Sequence, residues 1–147
     1  ASQKRESQSL DDLIRILKYM ECLLQYQMLP LVEIFREITR NFPGFARNLF
    51  DYLSIEMENQ VLPDVSSCMQ VALSQAGNIP KRTYQALQQL GGNLGQFDLD
   101  GQLKNITAVR KKCEDELEKF TMNQEERLRT YKTMALCAGA AIAILLV

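Results

Sequence analysis

Catalytic and metal sites begin with side chains that move protons, attack carbonyls or hold ions, and this chain is poor in them. Its 147 residues include no histidine. That removes the commonest general base, the Ser-His and Cys-His nucleophile pairs and most zinc sites. The four cysteines, Cys22, Cys68, Cys113 and Cys137, stand far apart with no C-x-x-C pair. They read as small apolar residues in a reducing compartment. The stretch GGNLGQFDLDG at 91–101 invites two readings and fits neither. No Gly-Lys-Ser/Thr follows it, and it continues a helical pattern rather than a strand, so it is no phosphate loop. With Gly101 as the invariant glycine of a calcium loop, Asp98 and Asp100 fall at loop positions, but Gln96 stands first and Thr107 last, where the closing bidentate glutamate belongs. Asp98 instead reads as a helix N-cap. Glu125 and Glu126 are adjacent and point to different helix faces, a poor acid/base pair. The residues therefore describe a non-catalytic protein with no cofactor and no metal.

The elements around these residues are helices throughout. Ser9, Leu10, Asp11 and Asp12 resemble a capping box, after which Leu10, Leu13, Ile14, Leu17, Met20 and Leu24 share one face, predicting a first helix to about Gln27. Pro30 opens a second helix with Leu31, Ile34, Phe35 and Ile38 inward, stopped at Asn41-Phe42-Pro43. A third starts near Pro43-Gly44 with Phe45, Ala46, Leu49, Phe50, Leu53 and Met57 inward. A fourth starts at Pro63-Asp64 with Val65, Cys68, Met69 and Ala72 inward, and Gly77 closes it. The fifth begins at Pro80 and carries Tyr84, Leu87, Gly91 and Leu94. The sixth, capped by Asp98, carries Leu103, Ile106, Cys113, Leu117 and Phe120, and nothing after Gly101 breaks it. No stretch alternates with the period of a half-buried strand. The expected fold is all-α, a bundle of about six helices linked by short connections, the last continuing into a C-terminal membrane segment.

Two glycines, Gly91 and Gly95, lie one turn apart in the fifth helix's pattern. They imply close approach of a neighbour or the end of the helix. Net charge is −1, and the basic residues form no long stripe, so nucleic acid is not an expected partner. In the run Arg110-Lys111-Lys112, each basic residue has an acid four positions on, Glu114, Asp115 and Glu116, which reads as a solvated helix face.

The end of the chain raises a different question. From Met134 to Val147 the 14 residues are apolar all round. They rise only ~21 Å as a helix against a hydrocarbon core of about 30 Å. Arg127, Arg129, Tyr131 and Lys132 flank the run as interface anchors do, and counting from Tyr131 lengthens the span to the lower limit for crossing. The anchor residues would be Tyr131, Lys132, Met134, Leu136, Gly139, Ile142, Ile144, Leu145, Leu146 and Val147. A core or partner-covered helix is the competing reading. The small residues Ala135, Gly139 and Ala143 line one face, where self-association through the tail is an option. The organisation read from the sequence is a polar stretch at 1–9, a helical bundle at 10–130 and a membrane segment at 131–147.

Three blocks carry a family likeness: MECLLQYQMLPL at 20–31, LGGNLGQFDLDGQLKNI at 90–106 and YKTMALCAGAAIAILL at 131–146. Together with the helix spacing between them they resemble the stage III sporulation protein AB family. The matching positions are Glu21, Tyr26, Pro30 and Leu31 in the first block. They are Gly91, Leu94, Gly95, Asp98, Gln102, Lys104 and Ile106 in the second, and Lys132 and Gly139 in the third. The resemblance implies a subunit of the channel between mother cell and forespore, similar to the cytoplasmic helical domains of type II secretion and type IV pilus platform proteins. It implies a place in the mother-cell membrane around the forespore, the bundle facing the cytoplasm, with a cytoplasmic secretion-type ATPase and other channel subunits as partners. The chain departs from the family in carrying Gln27-Met28-Leu29 where a small, turn-forming pair is usual. The family also opens with a transmembrane helix, and Lys4 and Arg5 would sit just inside one, which implies a trimmed start. A reading from another class is a tail-anchored regulator of the apoptosis kind, binding a partner helix in an apolar groove. Its Asn-Trp-Gly-Arg element has no counterpart in a chain without tryptophan.

Overall fold

A computed structural model describes the backbone of residues 2–59, 64–95 and 98–146, and the side chains of 4–59, 64–95 and 98–122. Six α-helices run in order through these residues, with no strand among them: α1 (Ser2–Cys22), α2 (Leu31–Asn41), α3 (Phe45–Asn59), α4 (Val65–Gln75), α5 (Lys81–Asn93) and α6 (Leu99–Leu146). The all-helical expectation holds. Periodicity explains the core directly: Leu13, Leu17 and Met20 of α1, Ile34 and Phe35 of α2, Phe50 and Leu53 of α3, Met69 of α4 and Leu87 of α5 are fully buried. Phe35 and Phe50 meet with ring centroids 5.5 Å apart, a tilted pair that adds about 0.5–1.5 kcal/mol beyond area burial.

α1 and α5 run parallel, and α6 returns antiparallel along both. The direction shows in three contacts. Near the start of α1, Glu6 accepts from the backbone N–H of Arg82 at the start of α5. The same Arg82 stacks its guanidinium 4.2 Å above the Phe120 ring, far along α6. At the other end, Glu21 of α1 meets Arg110 of α6. α2 and α3 form a hairpin tied by Arg36 to Glu58, and Tyr19 of α1 docks on it through Phe42, 5.8 Å between centroids. α4 bridges α3 and α5.

Three features differ from the sequence reading. Helix α1 begins at Ser2 rather than at Ser9, and Ser9 does not act as a cap. Its buried hydroxyl donates to Thr83 Oγ1 at 2.8 Å, joining α1 to α5. The polar residues before it stay helical because they hold the start of α5: Arg5 donates to the Asn78 carbonyl at 2.8 Å and Glu6 accepts from Arg82. The α-helix also stops at Cys22, and Leu23–Gln27 form a π-helical turn. Last, only Arg110 of the basic run pairs with the acid one turn on, Glu114 at 2.9 Å. Lys112 donates to Gln89 while Glu116 turns to Arg82 at 3.4 Å.

The prolines mark boundaries as expected where they are described. Pro30 and Pro80 stand at the N-caps of α2 and α5, and Pro43 lies just before α3. Pro63 lies outside the described residues. α6 is continuous for 48 residues, about 72 Å, longer than any dimension the other five helices require. Among the described residues no helix is long and apolar enough to cross a membrane. The anchor residues named above, from Tyr131 to Val147, lie outside the residues whose side chains are described.

Candidate interaction surface

The positions in the first two sequence blocks come together at the end of the bundle where α1 finishes and α6 begins. The geometry there starts with the π-helical turn. A wider turn consumes one more residue than an α-turn, and it closes through the Leu23 carbonyl, which accepts from the backbone N–H of both Met28 and Leu29. Met28 takes the left-handed conformation, φ 52 and ψ 37, the place where glycine is usual at a helix end. This is the structural form of the unusual Gln27-Met28-Leu29 segment. It turns Tyr26 and Met28 outward, 77% and 70% exposed, and leads through extended Pro30 into α2.

The α5–α6 corner is built by the two glycines. Gly91 lies inside α5, where a β-carbon would come within 2.3 Å of Met69 Cγ and 2.6 Å of its Cβ. Its lack of a side chain lets α4 approach. Gly95 has φ +83 and ends the helix; a β-carbon there would reach Val65 at 2.9 Å and Leu31 at 3.8 Å. Leu94 is buried beside it. The second glycine thus makes the turn and also seats the start of α2 and of α4 against the end of α5. Asp98 then caps α6, its carboxylate accepting from the Gly101 N–H at 2.9 Å. Asn105 steadies the corner by donating to the Leu90 carbonyl at 3.4 Å.

A half-buried ion cluster lies beneath this end. Arg110 forks onto Glu21, Nε to Oε1 at 2.5 Å and Nη2 to Oε2 at 3.4 Å, and uses its remaining nitrogen on Glu114. The hydrogen bond to Glu21 raises the Arg110 pKa above its already high usual value, against the opposing effect of burial. The guanidinium is therefore a permanent charge. Above the cluster, Glu21 and Gln25 on one side and Leu103, Lys104, Thr107, Ala108 and Lys111 on the other line an open groove of about 450 Å³. Gln102 is half-buried on the same stretch of α6, and Lys104 pairs with Asp100 at 3.2 Å.

The structure therefore brings Glu21 and Lys104 to one groove, and Leu31 to where a β-carbon on Gly95 would touch it. Tyr26, Pro30, Asp98 and Gln102 stand on the turns and helix starts around them. It does not bring Gly91 to the surface, since that residue is buried against α4. Sequence reasoning missed Arg110, which it placed on a solvated face. The signal was available, because Ile106, Arg110, Cys113 and Leu117 recur at helical spacing and put Arg110 on the inward stripe. It also missed the buried Ser9–Thr83 hydrogen bond, for which no local pattern exists. Among the described residues, no three metal-ligating side chains gather into a site.

The described residues thus define an all-α protein, a helical bundle with tightly braced turns at the end where α6 begins. The model of the stage III sporulation protein AB family matches residues 1–147, and the chain belongs to that family. Membership gives it a role in sporulation. A solved structure of stage III sporulation protein AB has the same fold, with a TM-score of 0.68 at 18% identity, spanning 84% of this chain and 99% of that one. No individually curated protein matches the chain.

Proposed function

We propose that this chain is a non-catalytic, membrane-anchored platform subunit of the mother-cell/forespore channel, and that it couples through its bundle to a cytoplasmic secretion-type ATPase. The observation that carries the reading is the convergence of Glu21, Tyr26, Leu31, Gly95, Asp98 and Lys104 on one end of the bundle, remote from the point where α6 leaves it. A platform needs that arrangement, with a rigid face for a cytoplasmic partner and a stalk leading away to the bilayer. The residues 131–147 supply the anchor in this reading, with Arg127, Arg129 and Lys132 on the bundle side as the positive-inside rule requires. Membership in a sporulation family favours a channel subunit over the tail-anchored regulator with an apolar groove.

The test is co-purification from membranes of sporulating cells. The full chain should stay in the membrane fraction after a carbonate wash, and the secretion-type ATPase should come with it in mild detergent. Release of the chain by carbonate would remove the anchor from the reading. Retention without the ATPase would remove the coupling.

A further inference from the structure

The groove at the end of α1 is lined by residues of contrasting size and charge. On its α6 side the lining runs from Leu103 and Lys104 through the small residues Thr107 and Ala108 to Lys111. Small residues midway along a groove leave room for the backbone of another helix. On α6 its rim is cationic: Lys104 and Lys111 stand seven residues apart, two turns, or ~10.5 Å along the axis.

The charges facing the groove decide its sign. Glu21 is held by the fork of Arg110, and Glu114 by Arg110 and, at 4.0 Å, by Lys18. Asp100 reaches Lys104, but both side chains are more than three-quarters or about three-quarters exposed, 78% and 75%, and such a surface pair is worth little and exchanges readily. Lys111 forms no ion pair among the described residues, although Asp115 lies one turn on. Glu21 and Glu114 are thus held by Arg110, while Lys104 has only its exposed pair with Asp100 and Lys111 has no ion pair among the described residues.

We infer that this groove receives a helix of a partner protein whose acidic side chains stand seven residues apart, one meeting Lys104 and the other Lys111, with small or aliphatic residues between them over Thr107 and Ala108. The inference rests on reading this end of the bundle as an interaction surface and narrows that surface to one chemistry. A lysine pair two turns apart fixes the register of an acidic helix, and desolvation against Leu103 and Ala108 strengthens each charge-assisted contact.

The experiment places the photo-crosslinking residue p-benzoylphenylalanine at Thr107 in the full-length chain in sporulating cells. Illumination is followed by mass-spectrometric mapping of the adduct. The expected adduct falls in a helical segment with Asp or Glu at positions seven apart. Lys104→Glu together with Lys111→Glu should cut its yield about tenfold, the loss of one good charge-assisted contact, and changing the partner's two acids to lysine should restore it. Circular dichroism melting separates this loss from unfolding, and Gln25, exposed on the opposite wall, is the second crosslinking position. An adduct with lipid, with a second copy of this chain or with a segment lacking the acid pair overturns the inference, as do no adduct at either position and a yield indifferent to charge reversal. An acid-paired adduct on a protein other than the ATPase keeps this inference and removes the coupling proposed above. Co-purification of the ATPase without a charge-dependent adduct does the reverse.

Discussion

Arg110 and Glu21 are 89 positions apart in the chain and share a two-pronged ion pair, each about one-fifth exposed. The pair joins the last turn of α1 to α6 immediately below the groove. It therefore sets the rotation of α6 that presents Lys104 and Lys111. Removing one partner leaves the other charge partly desolvated, so Arg110→Ala should destabilise the bundle by about 1–3 kcal/mol. Arg110→Lys should recover only part, because an ammonium cannot fork onto a carboxylate. Urea unfolding reads the effect as a lower midpoint at unchanged slope. A midpoint equal to that of the unsubstituted chain would show that the pair contributes nothing.

Gly91 and Gly92 are neighbours in α5 with opposite expectations. Alanine is the better helix former by about 1 kcal/mol, and at Gly92, where an added β-carbon meets nothing within 4 Å, Gly92→Ala should stabilise by ~0.5–1 kcal/mol. At Gly91 the same change drives a methyl into the stem of Met69, whose Cβ, 2.6 Å away, is fixed by the backbone of α4. Gly91→Ala should cost about 1–3 kcal/mol, and Met69→Ala in the same chain should recover part of it. Equal shifts in thermal midpoint for the two alanine variants would contradict the close approach of α4 and α5.

Met28 holds a left-handed conformation with its side chain largely in solvent. Glycine relieves that strain, about 1–2 kcal/mol for an L-residue, at the cost of greater freedom in the unfolded chain. Met28→Gly should therefore raise the melting temperature by a few degrees, on the order of 2–4 °C. A fall would mean that Met28 packs more tightly than its exposure indicates.

Of the three described cysteines, Cys22 and Cys113 have opposite settings and give a chemical check. Burial, with Glu116 and Glu114 adding to it, pushes the Cys113 thiol up to about 11, whereas Cys22 is exposed. Because the thiolate is the nucleophile, iodoacetamide at pH 8 should label Cys22 and leave Cys113 unmodified in the native chain. The raised value also has a stability consequence. The unfolded thiol ionises first, near 9, so stability should decline as pH rises from about 9 to 11. Labelling of Cys113 at the rate of Cys22, read by peptide mapping, would contradict its burial.

Much of this was legible because helices write themselves in period 3.6. Leu13, Ile34, Phe50, Met69 and Leu87 fall on the inward positions of that period and are buried, and Asp98 has the residue type and place of a cap and caps α6. The spacing of Gly91 and Gly95 implies close approach or a helix end, and one does the first while the other does both. What escaped depends on pairing between distant segments. Ser9 looked like a cap because its local neighbours fit that pattern, but Thr83, 74 positions away, takes its hydroxyl. Arg110 was grouped with Lys111 and Lys112 by charge, while its position on the stripe of Ile106 and Cys113 carried the information. The π-helical turn has no period that a search for α-helices detects, and only the misfit of Gln27-Met28-Leu29 marked it.

Asp98 offers a way to separate fold from contact. Asp98→Ala removes the cap of α6 and should cost about 0.5–2 kcal/mol, while Asp98→Asn keeps most of it. Normal spore formation with Asp98→Asn is the expected outcome if capping is the residue's task. A folded Asp98→Asn chain that fails in sporulation would assign it a place in the partner contact.

The most direct test of the end of the bundle as a partner surface is Tyr26→Ala in the full-length chain, scored for heat-resistant spores alongside the melting temperature of the purified protein. Tyr26 is exposed and belongs to no core contact, so its loss should leave stability within about 0.5 kcal/mol. The expected result is an unchanged melting temperature with spore formation strongly reduced. Spore counts equal to those of the unsubstituted chain, at unchanged stability, would contradict the assignment of this surface.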